Sequence, residues 1–341
     1  MVLSPKLSFF AKIQDKRLLE IMQWYANDIA ILKSLDSELN IATTFGEIST
    51  KRDLYFSWFV TGSIFPLLMA KLHRRPIVVV AGGSEVVQSV PMIAGYQAKS
   101  FLEKWIIQIV LRHADQIITV SEELKKEVLS FGVKHCATVY HGIRTDIFKP
   151  ANKERKFIFT ISHLDRFNVE RKRIKTIIQA IPLVIRDFPN QQFIVAGVKG
   201  DAFSELVELV KELKVEDNIR FPGQISNEEK IDFFQSSLIY VQPTIHEAFG
   251  VAIAEAMSCG VPVISSNNTA VPEVVGDCGL YVDPDDPEEL AQKIKSLLGD
   301  QDLRKNLGKR GRQRIIDCFS FEKRKEKLTH LINQELSKFG D

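Results

Sequence analysis

The sequence predicts an α/β protein of two domains, each built on a parallel sheet. Three observations point there. The chain has 341 residues, enough for two cores of ordinary size. Runs rich in β-branched residues alternate with segments of helical period along the whole chain, the rhythm of βαβ units. One such run, beginning at Ile77, ends in a glycine pair, Gly82 and Gly83, at the strand end where open α/β sheets place their ligands.

The first strand is expected near Lys6–Phe10. A helix follows over Leu18–Leu35, because Leu18, Leu19, Met22, Tyr25, Ile29 and Leu32 recur at helical spacing. Strands near Asn40–Thr44, Leu54–Phe59 and Ile77–Val80 alternate with helical segments. Gly82 and Gly83 let a backbone come close to a substrate, or simply make a tight turn. Residues 86–99 show no period and read as a loop, a place where an acceptor can be recognised. A helix from Phe101 to Arg112 leads into a strand closed by Ser121, which is a good N-cap because Glu122 and Glu123 fill the next turn. A strand over Ala137–Tyr140 ends at His141 and Gly142. Residues 148–156 read as a linker, which sets the domain boundary near Pro150.

The second half repeats the rhythm. Strands are expected at Phe157–Ser162, Phe193–Ala196, Ile219–Phe221 and Val263–Ser265, with helices at Ile174–Arg186 and Phe203–Leu213. Pro272 reads as the first residue of a short helix. Asp283 and Asp285 form an Asp-x-Asp pair of the kind that can hold a metal. Pro287, Glu288 and Glu289 instead make Asp286 a helix N-cap, which explains these acids without a cation. The basic run at 309–314 reads as a solvated helix face or, alternatively, a patch for anionic lipid.

Composition narrows the class. The formal net charge is +2, so no global argument favours a nucleic-acid partner. Cys136, Cys259, Cys278 and Cys318 are scattered without a Cys-x-x-Cys pair, which suggests a reduced, cytoplasmic setting. No signal peptide is evident at the N-terminus, and the most apolar window, Leu54–Ala70, is too broken to read as a membrane span. No Gly-x-Gly-x-x-Gly follows a strand, which argues against a nicotinamide-dependent oxidoreductase.

The most informative stretch is Leu238–Ala256. A β-branched and aromatic run stops at Pro243, a polar turn follows, and an alanine-rich helix runs from about Phe249 to Met257 until Gly260 ends it. That helix is apolar except for Glu255, which needs either a structural ion pair or a polar ligand. Glu247 lies in the turn before it, where unpaired amides and the helix dipole favour an anion. At the helical rise the two glutamates stand about 12 Å apart, roughly the reach from a sugar through a diphosphate to a ribose.

The string HisGluAlaPheGly, then Glu255, then SerCysGlyValProVal closely resembles the signature of the retaining glycosyltransferases of family four, which have the GT-B fold. AlaAspGlnIleIleThrValSerGluGluLeu and TyrHisGlyIleArgThrAspIlePheLysPro resemble the same family, in the same order. The resemblance implies two Rossmann-like domains facing a cleft: residues 1–150 on the acceptor side, 151–318 binding the nucleotide sugar, and a C-terminal helix, 319–341, returning to the first domain. It implies transfer of a hexose-type sugar, with retention, from a nucleotide sugar to a hydroxyl acceptor. No metal and no cofactor are implied.

By position, Glu247 matches the residue that contacts the donor sugar and Glu255 the one that binds the ribose. Phe249, Gly250 and Val251 match the loop whose amides approach the donor, and Lys172 matches a diphosphate-binding lysine. His163 stands where the family usually has arginine and Arg173 where it has glycine, so Arg166 or Arg171 is expected to supply the second cation. The first domain departs further. Residues 11–17 hold no glycine and 82–85 no histidine, which leaves Gly82, Gly83, Glu85 and His141 as weak acceptor-side candidates. His141 and His246 are candidate bases, although the leaving phosphate can itself take the acceptor's proton. Two alternatives stay open: a binding subunit that no longer turns over, and a nucleotide-sugar isomerase on the same scaffold. The apolar 56–68 region and the basic helices permit a lipid-linked acceptor at the inner face of a membrane without requiring one.

Overall fold

The computed structural model describes residues 5–88 and 95–339. It divides into two compact units, Met1–Gly142 together with Phe321–Asp341, and Ile143–Ser320. The first break therefore falls at Gly142 rather than at Pro150. Phe148, read as linker, is 1% exposed, with Lys230 over its ring; a side chain anchored in this way belongs to the second unit.

In the first unit the elements are β1 (Leu7–Ala11), α1 (Leu18–Ile21), α2 (Gln23–Leu35), β2 (Asn40–Ala42), β3 (Leu54–Trp58), α3 (Ile64–Leu72), β4 (Ile77–Ala81), α4 (Phe101–His113), β5 (Gln116–Thr119), α5 (Glu122–Leu129) and β6 (Cys136–Thr138). All pairings among the strands are parallel, in the order β2-β1-β3-β4-β5-β6. The expected single helix at Leu18–Leu35 is broken. Met22 is extended, with φ −81° and ψ 108°, so the chain turns there and restarts as α2; hydrophobic spacing alone cannot reveal such a turn. Ser121 caps α5 by accepting from the Leu124 amide. Of the expected loop at 86–99, Tyr96–Ala98 form one 3₁₀ turn, and 89–94 lie outside the described residues.

The second unit contains β7 (Phe157–Ile161), α6 (Arg166–Lys172), α7 (Ile174–Ile185), β8 (Gln192–Ala196), α8 (Phe203–Glu212), β9 (Ile219–Gly223), α9 (Asn227–Gln235), β10 (Ser237–Gln242), α10 (Val251–Ser258), β11 (Val263–Ser266), α11 (Val271–Val275), β12 (Leu280–Val282), α12 (Pro287–Gly299) and α13 (Gln301–Phe319). Its parallel sheet runs β12-β11-β10-β7-β8-β9. The chain moves outward through β7, β8 and β9, then returns to place β10 on the other side of β7. The gap between β7 and β10 is thus the topological switch point, where such sheets leave a crevice at their carboxyl edge.

Three elements of this unit had no counterpart in the sequence reading: α6, α9 and β12. Asp165 starts α6 by accepting from the Asn168 amide, and a capping box of Ser226 and Glu229 starts α9. Both helices are short and polar, with little apolar period to announce them. Pro272 is the second residue of α11, not the first. Asp286 caps α12 by accepting from the Glu289 amide, as its context suggested.

The basic run at 309–314 is a solvated face only in part: Lys309, Arg310 and Gln313 are exposed, whereas Arg312 and Arg314 turn inward. Arg312 donates to the carbonyls of Phe148 and Ser258, and Arg314 to those of Glu273 and Val274. Gly308 and Gly311 let α13 lie on the Gly260 turn and on Met257, since a Cβ at Gly308 would fall 2.3 Å from the Gly260 oxygen. Of these acceptors, Ser258, Glu273 and Val274 lie in the last turns of α10 and α11, where helix carbonyls lack partners of their own. The final helix, α14 (Phe321–Ser337), belongs to the first unit. Its Arg324, 2% exposed, donates to both oxygens of the fully buried Asp28 and to the carbonyls of Val139 and Tyr140.

Candidate active site

The switch point of the second sheet is occupied by a lysine. Lys172 donates to the carbonyl of Ile161, the last residue of β7, at 3.1 Å, and to the side-chain oxygen of Gln242, the last residue of β10, at 3.3 Å. It gets there because α6 is short: begun by the Asp165 cap, it ends at Arg173, which is left-handed at φ 53°. That conformation strains a side-chain-bearing residue by roughly 1 kcal/mol; glycine, which the resemblance leads one to expect here, would bear no such strain. Arg173 is held by ion pairs to Asp285 at 2.8 Å and Glu170 at 3.4 Å.

Arg171, one residue earlier, faces the polar turn that follows β10. Its guanidinium donates to Glu247 at 2.7 Å, to the His246 carbonyl at 2.9 Å and to Asn168 at 3.0 Å. Its own carbonyl accepts from the Ile245 amide and the Thr244 hydroxyl, so the helix end and the turn are sewn together. Gln242 adds a donor to the same Glu247 oxygen at 2.8 Å, while its oxygen accepts from the Tyr240 hydroxyl. Thr269 accepts from the Glu247 amide and donates to its carbonyl. Glu247 is therefore fixed from both ends, with a side chain only 13% exposed.

Charges in this cluster tune one another. Burial raises the Glu247 carboxyl, but Arg171 and Lys172 outweigh it and hold the group below its usual range. Burial drives Lys172 down to about 8; Glu247 opposes that and Arg171 adds to it. An anion arriving at Lys172 would reverse its depression, since an opposite charge favours the ammonium.

Glu255 lies one helix further on, in α10, at 2% exposure. Of the two readings open from the sequence, the structure supplies the ion pair: Lys230 of α9 reaches it at 2.9 Å. Gly250 opens α10 with φ +97°, a conformation natural to glycine alone, and Val251 is the first helical residue. Phe249 points inward, 2% exposed and edge-on to Phe319 at 5.5 Å. Phe249 and Gly250 therefore offer a ligand their backbone rather than a side chain.

The other expected donor residues separate. Arg166 is exposed; its guanidinium lies 4.0 Å from Glu205, so it is Arg171 that joins Lys172. His163 is exposed just beyond β7. Asp283 accepts from the Asp285 amide and Asp285 pairs with Arg173, so both Asp-x-Asp acids have structural work; among the described residues no three His, Cys, Asp or Glu side chains are grouped to hold a metal.

The first-unit candidates sit at the end of β4 and around Trp58. Gly82 is required by packing, since a Cβ there would fall 2.4 Å from the Trp58 ring, whereas a Cβ on Gly83 would meet Phe59 at 3.3 Å. Glu85 clamps the loop after β3: its carboxylate accepts from the Val60 and Thr61 amides and the Thr61 hydroxyl. His141 is stacked on Trp58 at 5.8 Å; burial, then Arg324, push its pKa well below the usual value. It is a neutral ring at physiological pH. His246 is 6% exposed, and its carbonyl is anchored by Arg171 and Thr244.

Residues missed from the sequence are Lys230, Gln242 and Thr269. Gln242 alone had a signal there, as a polar residue closing an apolar strand.

The second unit thus carries two cations and an anchored glutamate at the switch point of its parallel sheet, and comparison with known proteins places the chain. The model of the glycosyl transferases group 1 family matches residues 143–314, half of the chain. A GDP-mannose-dependent monoacylated alpha-(1-6)-phosphatidylinositol monomannoside mannosyltransferase of Corynebacterium glutamicum is 30% identical over 86% of this chain and 80% of its own. The O-antigen chain mannosyltransferase B of Escherichia coli is 37% identical over 142 residues, 41% of this chain and 37% of its own. Several of these relatives are matched over less than two thirds of their length, the N-acetyl-alpha-D-glucosaminyl L-malate synthase of Bacillus anthracis over 59%. Among solved structures, sucrose-phosphate synthase from Thermosynechococcus elongatus superposes with a TM-score of 0.77 at 18% identity, covering 98% of this chain and 100% of that one. Anabaena HepE in complex with UDP and glucose gives 0.78 at 16%, covering 96% and 100%. The chain belongs to the glycosyl transferases group 1 family, and its fold is GT-B.

Proposed function

We propose that the protein is a retaining glycosyltransferase that moves a hexose-type sugar from a nucleoside diphosphate sugar to a hydroxyl acceptor, without a metal. The observation that carries this reading is the junction of Lys172, Arg171 and Glu247 at the β7–β10 switch point. Relatives named as mannosyl- and N-acetylglucosaminyltransferases support it, as do neighbours of the same fold solved with UDP or UDP-glucose.

In this reading the diphosphate lies against Lys172 and the backbone amides at Gly250 and Val251. Breaking the sugar–phosphate bond leaves positive charge on the ring and negative charge on the departing diphosphate. Lys172, Arg171 and the start of α10 take up the leaving charge, and Glu247 orients the sugar. Arg171 must then divide its donors between Glu247 and phosphate, which its five N–H groups permit. Glu255, held by Lys230, presents its second oxygen to the ribose hydroxyls. The departing phosphate accepts the acceptor's proton, so neither His246 nor His141 is needed as a base. Four free cysteines are in keeping with a cytoplasmic site of action.

The test is sugar transfer and nucleotide release across UDP-, GDP- and ADP-sugars with lipid-phosphate, lipid and sugar acceptors, for wild type, Glu247→Ala and Lys172→Met, reading the product anomer by NMR. Transfer with retention, lost in both variants, is expected. Donor binding without transfer to any acceptor would instead indicate a binding subunit, and donor conversion without nucleotide release an isomerase. An inverted product would overturn the retaining mechanism.

A further inference from the structure

We propose that the outward faces of α3 and α4 form a docking surface for an anionic phospholipid bilayer. The proposal goes beyond the donor site and does not depend on it. The two helices connect β3 to β4 and β4 to β5, neighbours in one parallel sheet. Right-handed crossovers put both on the same face of that sheet, where they pack against each other.

Each helix already has its core side. On α3 it is Leu67 and Ala70, and on α4 Ile107, Val110 and Leu111. The opposite side of each ought to be polar, yet it is not. Leu68 and Leu72, one turn apart on α3, are 57% and 74% exposed. Phe101, Leu102 and Trp105, in the first turns of α4, are 87%, 62% and 53% exposed. Five large apolar side chains thus stand more than half exposed on two adjoining helices, and exposed apolar surface of this extent marks interaction surfaces.

Charge identifies the partner. Residues 64–75 and 99–113 carry Lys71, Arg74, Arg75, Lys99, Lys104 and Arg112 against a single acid, Glu103. That acid closes the capping box with Ser100 and also pairs with Lys99, and Arg75 pairs with Asp53, so the excess charge of the face rests on Arg74, Lys104 and Arg112. The next acid, Asp115, accepts from the Ile77 amide and pairs with Lys71. Apolar and aromatic side chains fringed by cations suit a headgroup boundary, with rings and leucines entering the acyl edge and cations meeting anionic lipid. A second copy of the same face would bring these like charges together. Among the described residues no helix is long and apolar enough to cross a membrane, so the contact is one of lying on the surface.

The experiment is flotation of the full chain with vesicles of phosphatidylcholine alone or mixed with phosphatidylglycerol. Two variants accompany it: Leu72→Ser/Phe101→Ser/Trp105→Ser, and the charge reversal Arg74→Glu/Arg112→Glu, which leaves every apolar residue in place. Wild type is expected to float with the mixed vesicles, less so at high salt. Each variant should bind about tenfold more weakly or worse. Trp105 is the most exposed of the three tryptophans, so its emission should shift to the blue on binding, and Trp105→Phe should remove the shift. No flotation, or equal binding to both vesicle types, would overturn the proposal. So would a concentration-dependent dimer in sedimentation velocity that the triple variant abolishes, which would give the face to a second copy.

Discussion

Lys172 offers the sharpest test of the donor site, because its proton is coupled to both folding and binding. In the free protein burial holds it near 8, against 10.5 for an ordinary lysine. A diphosphate laid against it would restore the ammonium, so binding above pH 8 must draw a proton from solvent. Affinity for UDP or GDP should therefore be level at neutral pH and fall about tenfold per unit above 8, reaching about 30-fold, or about 2 kcal/mol, by pH 9.5. Calorimetry in buffers of different ionisation heat would read the proton uptake directly. Lys172→Arg keeps its charge throughout and should flatten the profile. Stability moves in the opposite sense. The folded pKa lies below the unfolded one, so between about 8 and 10.5 the unfolded chain holds the proton more tightly and stability rises with pH, by up to about 3 kcal/mol. Affinity that stays flat from pH 7 to 9.5, or the same slope in Lys172→Arg, would refute the reasoning.

Three further outcomes are expected. Lys230→Met strands the carboxylate of Glu255, whose side chain is 2% exposed; the loss should be about 3 kcal/mol, with more than half recovered in Lys230→Met/Glu255→Leu, read by thermal melts and by hydrogen exchange of α10. In the first unit Arg324→Leu leaves Asp28 buried without its counter-charge, the Trp58 indole still donating to it, and takes a donor from the Val139 and Tyr140 carbonyls. It should cost about 3–5 kcal/mol, where exposed pairs such as Lys126–Glu123 cost little. Gly197→Ala should scarcely fold, because the residue sits at φ +138° and its Cβ would fall 1.7 Å from the Ser162 carbonyl oxygen; yield of soluble protein and the melting midpoint report this.

By itself the sequence determined what local chemistry can determine. The alternation of strand and helix, the caps at Ser121 and Asp286, and the strand, turn and helix that carry Glu247 and Glu255 all depend on residues within a turn or two of one another, and all were legible. Tertiary structure decided which charges meet. Arg166 and Arg171 are equivalent as letters, but α6 ends so that only Arg171 reaches Glu247, 76 residues away. Lys230 finds Glu255 because α9 packs beside β10, and no spacing rule joins positions 25 apart. Arg312 and Arg314 of α13 read as solvated until the carbonyls of Phe148, Ser258, Glu273 and Val274 are brought beneath them. Met22 breaks a helix whose hydrophobic period runs on unbroken. In each of these charge pairings the deciding contact is long-range. Its energy comes from removing a charge or an orphan carbonyl from water, and that burial exists only once the sheet has brought distant segments together.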